Sequence, residues 1–108
     1  MRRGELYRVR RPAGDTKLSR VFVVVSRQAL LDSAYSTVIC APVFSQYHGL
    51  PTEIAIGTTE GLKHESSIQR DELASLEKAR LTNFNGELAP NKLRELDIAL
   101  FVALGLRA

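Results

Sequence analysis

The sequence predicts a mainly β (α+β) fold, a small barrel or curled sheet closed by a C-terminal helix. Three observations predict it. Short runs of β-forming residues recur along the chain, turn residues separate them, and one helical apolar stripe comes last. A length of 108 residues suits one domain, 1–108, with a single modest core.

The elements follow in order. Gly4 to Val9 alternates polar and apolar residues, as a half-buried strand does. Pro12, Ala13, Gly14 and Asp15 make a loop. Val21-Phe-Val-Val-Val-Ser26 holds five apolar residues in a row, four of them valine, and predicts a strand covered on both faces. Arg27 to Leu31 fits a short helix and Ser33 to Ser36 a turn. Ser36 to Phe44 is the next strand, with Pro42 at its end or edge because proline has no N–H for the ladder. Gln46 to Gly49 is a loop, Thr52 to Ile56 alternates again, and Glu65 to Leu73 holds a further strand after the turn at Thr59-Glu-Gly61. Leu81 to Glu87 is ambiguous. The last element is the helix. Pro90 suits its first position, Leu93, Leu96, Leu100, Ala103 and Leu104 share one face, and Gly105 is its C-cap. Phe101 and Leu106 fall off that face, and a second copy of the chain would cover them.

Composition narrows the classes. Hydrophobic residues make up 44% and charged residues 25%, an ordinary globular balance. The net charge is +3, and it is uneven. Arg2, Arg3, Arg8, Arg10, Arg11, Lys17 and Arg20 crowd the first twenty residues against only Glu5 and Asp15. A basic stripe of that kind suits a polyanion such as RNA or DNA. Cys40 has no partner for a disulfide and sits in an apolar run, as a buried thiol in a reducing compartment would. The longest apolar run, Ile98 to Leu106, is about half of a membrane span. No leader-like stretch opens the chain, so the expected place is the cytoplasm, with no membrane contact.

The chemistry-bearing residues exclude more than they assign. His48 and His64 stand sixteen positions apart beside a single cysteine, so nothing has metal-ligand spacing, and no metal or cofactor is expected. Gly57 and Gly61 lack the Lys-Ser/Thr of a phosphate loop. Two histidines are compatible with acid–base cleavage of RNA, although exposed loop histidines are commoner. His48, beside Gln46 and Tyr47, suits contact with a single-stranded base. Arg20 is the leading candidate, a guanidinium fixed at the mouth of a rigid strand and a donor fork for phosphate. Ser45 at a strand exit and Asp71 in Gln69-Arg-Asp-Glu72 complete a candidate catalytic set. Arg3, Asp15, Lys17, Ser19, Phe44, Gln46, His48 and Arg70 are candidate substrate contacts.

These residues resemble the MazF/PemK family of toxin endoribonucleases over almost the whole chain. Arg3-Gly4-Glu5-Leu6-Tyr7 is similar to the family's opening block. Arg20 precedes a Val-rich strand ending in Ser26, Thr37 to Ser45 resembles the block around the family's catalytic Thr, and Asp71 to Leu76 resembles its "Asp-Gln" block. The resemblance implies a small SH3-like β-barrel of the CcdB/PemK type with a C-terminal helix, working as a homodimer. It implies metal-independent, sequence-selective cleavage of single-stranded RNA, by attack of the ribose 2′-hydroxyl, and a cognate antitoxin with a flexible acidic tail. Within it Arg20 matches the key arginine, and Asp71 the acidic base of PemK-type members. The chain also departs from the pattern. Val21 replaces a proline, the loop from Gly14 to Arg20 is short, Gln69 stands in place of a paired arginine, and Phe44 stands at the Thr position. Ser45 is then the nearest hydroxyl, and it reaches the site only if the strand ends or bulges after Pro42. These departures support an alternative, a non-catalytic member of the fold that binds nucleic acid or a protein target such as gyrase. An unrelated RNA-binding barrel fits the ordered blocks less well.

Overall fold

A computed structural model describes residues 1–10, 19–49 and 53–106. Its elements in chain order are β1 (Glu5–Arg10), β2 (Ser19–Val24), α1 (Gln28–Leu31), β3 (Thr37–Phe44), β4 (Glu53–Ile56), β5 (Ser66–Gln69), β6 (Ala74–Glu77), β7 (Asn83–Glu87) and α2 (Pro90–Ala103). Short 3₁₀ turns lie at Thr58–Glu60 and Lys78–Arg80. The strands form an antiparallel sheet in the order β4-β5-β3-β2-β1-β7, with β6 also paired to β3. This is the expected mainly β architecture, a curled half-barrel with a terminal helix.

The pleat explains why the middle strands are rich in valine. Val21 and Val23 of β2, Leu6 of β1, and Ala41 and Val43 of β3 face one core, which α2 caps through Leu96. Val24, Tyr7, Val9, Val38 and Cys40 face a second core with Leu31 and Leu81. Alternate residues point to opposite faces, so a strand buried on both sides must be apolar at every position. Cys40 is buried as expected, and burial pushes its thiol up to about 12.

The strands refine the expectations in four places. β2 begins two residues earlier than Val21, so Arg20 lies inside the strand, opposite Val9. Pro42 is third from the end of β3, opposite Phe22. There the other neighbour of β3 changes from β6, whose pairing stops at Cys40, to β5, whose pairing starts at Val43. A residue without an N–H costs least at such a junction. The strand expected within Glu65 to Leu73 is β5, and a further strand that was not expected, β6, follows it after an exposed turn that bears Asp71. β7 resolves the ambiguous Leu81 to Glu87 stretch as a strand on β1.

α2 starts with Pro90 in its first turn and ends in a double cap, in which Gly105 N–H donates to Val102 O and Leu106 N–H to Phe101 O. Gly105 supplies the φ of +68° that the cap needs. Leu93, Leu96, Ala99 and Leu100 pack on the core, whereas Leu104 of the expected stripe is exposed beyond the last turn. Gly86 of β7 packs tightly against the 3₁₀ turn: a Cβ there would stand 2.2 Å from the Glu60 carbonyl oxygen.

Candidate active-site clefts

The antiparallel register sets up the site. Phe22 pairs with Pro42, and two residues further along each strand come Arg20 and Phe44. Their side chains meet. The Arg20 guanidinium carbon lies 4.2 Å from the centre of the Phe44 ring, and Nη1 donates to the Val43 carbonyl at 3.3 Å. A cation over an aromatic face is worth about 0.5–1 kcal/mol at a partly exposed site. The two contacts fix the group and leave further N–H donors for an anion.

β3 ends at Phe44 and Ser45 begins a bend, so the condition for Ser45 to turn into the site is met. Arg20 and Ser45 together line two adjoining clefts. The first, about 220 Å³, is also lined by Arg8, Ser19, Lys63, His64 and Ser66. Arg8 Nη1 donates to Ser19 Oγ at 3.0 Å, which holds one cation along its wall. Arg8, Arg20 and Lys63 make this cleft strongly cationic. The second cleft, about 400 Å³, adds Phe44, Gln46, His48, Glu53 and Gln69.

A hydrogen-bonded chain fastens the 46–49 loop beside the second cleft. The buried Ser67 hydroxyl donates to Gln46 O at 2.6 Å. The Gln69 amide donates to Ser67 Oγ at 2.9 Å and to Glu53 Oε2 at 3.2 Å. His48 N–H donates to Glu53 Oε1 at 3.0 Å, and the His48 ring Nε2 lies 3.2 Å from Gln46 Oε1. Phe44, Ser45, Gln46 and His48 thus follow a strand end whose course is set by β4 and β5.

The structure gathers Arg20, Ser45, Ser19, Phe44, Gln46 and His48 around these clefts. It does not bring the other candidates there. Asp71 sits on the exposed turn between β5 and β6 and lines neither cleft. Arg3 belongs to the other end of the fold, where Nε donates to Val25 O and Nη1 pairs with Asp97 of α2 at 2.7 Å. Arg70 is only 4% exposed, with Nε and Nη1 buried and unpartnered, because it continues the inward-facing row of Ser66 and Ile68. Asp15 and Lys17 lie outside the described residues. Arg8, Lys63, Glu53 and Gln69 join the clefts without having been singled out from sequence as contacts, and His64 joins them although His48 was the histidine the sequence favoured. The polar position of Arg8 in the alternation of β1 was a usable signal; Lys63 and His64, on an aperiodic loop, carried none.

Comparison with known proteins agrees with the fold. Residues 2–104 match the family model described as PemK-like, MazF-like toxin of type II toxin-antitoxin system. No curated protein sequence matches the chain. Among solved structures, an endoribonuclease from a Mycobacterial species superposes with a TM-score of 0.80 at 25% identity, covering 98% of this chain and 92% of the other. An endoribonuclease in complex with its cognate antitoxin, also from a Mycobacterial species, gives 0.79 at 25% identity, covering 98% and 94%. The Mycobacterium tuberculosis toxin MazF-mt6 gives 0.82 at 19% identity, covering 96% and 99%, and shares the fold. With a family match across nearly its whole length, the chain belongs to the PemK-like, MazF-like toxins of type II toxin–antitoxin systems.

Proposed function

We propose that this toxin is a sequence-selective endoribonuclease that cleaves single-stranded RNA without a metal ion. The observation that carries the reading is Arg20, held between the Phe44 ring and the Val43 carbonyl where two open clefts meet. Two similar structures at 25% identity are endoribonucleases, one of them bound to its cognate antitoxin. In this reading the scissile phosphate sits on Arg20. The ribose 2′-oxygen attacks phosphorus, and the guanidinium stabilises the charge that builds on the non-bridging oxygens. Ser45, at the strand end, donates a hydrogen bond to the same group. The cationic first cleft receives the flanking backbone, and the second receives a base beside Phe44 and His48.

The same basic surface suits an antitoxin's acidic tail, which would occupy the clefts and block RNA. The chain acts as a homodimer, because α2 leaves Ile98 and Val102 each 66% exposed, with Phe101, Leu104 and Leu106 beside them. Among the described residues no helix is long and apolar enough to cross a membrane. We assign the protein to the cytoplasm, where RNA and antitoxin are made.

The test is direct. Purified protein is incubated with mixed-sequence RNA in EDTA, and the 5′ ends of the fragments are sequenced. Discrete cuts at a short shared sequence are expected. Intact RNA, with retained binding to RNA or to a protein target, would favour the non-catalytic alternative, for which Phe44 at the Thr position argues. A monomer by light scattering at micromolar concentration would remove the dimer.

A further inference from the structure

Arg20 and Ser45 leave one part of the reaction unsupplied. Taking the 2′-hydroxyl proton and protonating the departing 5′-oxygen both require a group that exchanges protons near neutral pH. A guanidinium stays protonated throughout that range. A serine hydroxyl needs an adjacent base before it acts. Asp71 lines neither cleft. Glu53 lines the second, but its carboxylate accepts from the His48 backbone and the Gln69 amide, and it serves to hold the 46–49 loop on β5.

Two imidazoles remain among the described lining residues, one in each cleft. His64 lines the first, His48 lines the second, and Arg20 and Ser45 line both. Both rings belong to exposed residues, open to a substrate. We propose that His48 and His64 form the acid–base pair of this site, an inference that rests on the ribonuclease reading above. One imidazole takes the proton from the 2′-oxygen as that oxygen bonds to phosphorus. The other gives a proton to the 5′-oxygen as its bond to phosphorus breaks. The products are a 2′,3′-cyclic phosphate and a 5′-hydroxyl, and the enzyme has taken one proton and given one.

The placement fits the stereochemistry. Attacking and leaving oxygens stand roughly in line on opposite sides of phosphorus, and the two clefts that carry the histidines share Arg20 and Ser45 as common lining residues. Their surroundings differ. His64 shares its cleft with Arg8 from β1, Arg20 from β2 and Lys63 from its own loop. His48 shares its cleft with Arg20 and with Glu53 from β4, which accepts from its backbone N–H, and its Nε2 lies beside the Gln46 amide.

The experiment uses the whole chain and two variants, His48→Gln and His64→Gln, on an oligonucleotide carrying the cut found with mixed-sequence RNA. Each variant is expected to lose roughly 10²–10⁴-fold in kcat. The bell-shaped pH profile of the wild type should lose its acidic limb in one variant and its alkaline limb in the other. A second oligonucleotide, with sulfur in place of the bridging 5′-oxygen, has a leaving group that needs no acid. It should restore one variant to within about tenfold of wild type and not the other, which identifies the acid. If the wild type cuts and both variants stay within about tenfold with the bell intact, the histidine pair is overturned alone. Rescue of both variants, or of neither, overturns the division of roles. A wild type that makes no cut at all overturns the ribonuclease reading and this one with it.

Discussion

Arg20→Ala deletes a guanidinium that, among the described residues, is held at two points, the Phe44 ring at 4.2 Å and the Val43 carbonyl at 3.3 Å. The ring contact contributes about 0.5–1 kcal/mol and the long hydrogen bond about as much. Stability should therefore fall by about 1–2 kcal/mol, out of a typical 5–15 kcal/mol, and the variant remains folded. The transition state loses far more. Removing one donor aimed at a developing oxyanion costs about 2.7–4 kcal/mol, or 10²–10³ in rate. A fork that offers more than one N–H to a phosphorane sits at or above that figure. Arg20→Lys keeps the charge but not the planar fork, and should fall between wild type and alanine. The assay pairs single-turnover cleavage of a mapped oligonucleotide with urea unfolding of the same preparations. The ratio of kcat/KM, converted at 1.36 kcal/mol per decade, should exceed the loss in unfolding free energy. An alanine variant that is folded and cuts within about tenfold of wild type would refute the role of Arg20. If the rate falls only in step with the folded fraction, the residue is structural.

Ser45→Ala should lower kcat by about 10–100-fold with little change in the urea midpoint, whereas Asp71→Asn, on a turn outside both clefts, should stay within about threefold of wild type; the same single-turnover assay reads both. Gly86→Ala should destabilise by about 2–4 kcal/mol, because its Cβ would meet the Glu60 carbonyl at 2.2 Å and neither backbone can yield freely; an unchanged melting temperature would show that the 3₁₀ turn moves away at little cost. Stability should also fall in alkali. Burial, with the hydrogen bond and charge of Glu5, pushes the Tyr7 phenol up to about 12, and burial alone pushes the Cys40 thiol to about 12. Both folded values lie above the unfolded ones, about 10 and about 8.5, so these groups contribute fully below the unfolded values and the contribution is lost as pH rises towards 12. Urea midpoints should hold to about pH 8 and then decline, and Tyr7→Phe with Cys40→Ala should flatten the decline.

The sequence by itself determined the local and periodic features. Five consecutive apolar residues after Arg20 implied a strand covered on both faces, and β2 does feed two cores. Pro90 and Gly105 marked the ends of α2 because each acts through its own backbone torsion. Arg20, Phe44, Ser45 and His48 were legible for the same reason, since each stands at or beside the end of a strand with a strong pattern. Tertiary structure decided the rest. The turn that splits β5 from β6 left no periodic mark, and with it Asp71 moved out of the site. Arg70 changed from a contact into a buried side chain through the parity of one short strand. The clefts draw Arg8 from β1, Arg20 from β2, Ser45 from the end of β3, Glu53 from β4 and His64 from the loop before β5. Sheet order and register bring those positions together, and both are set by how distant apolar faces pack, which no short window of the chain contains.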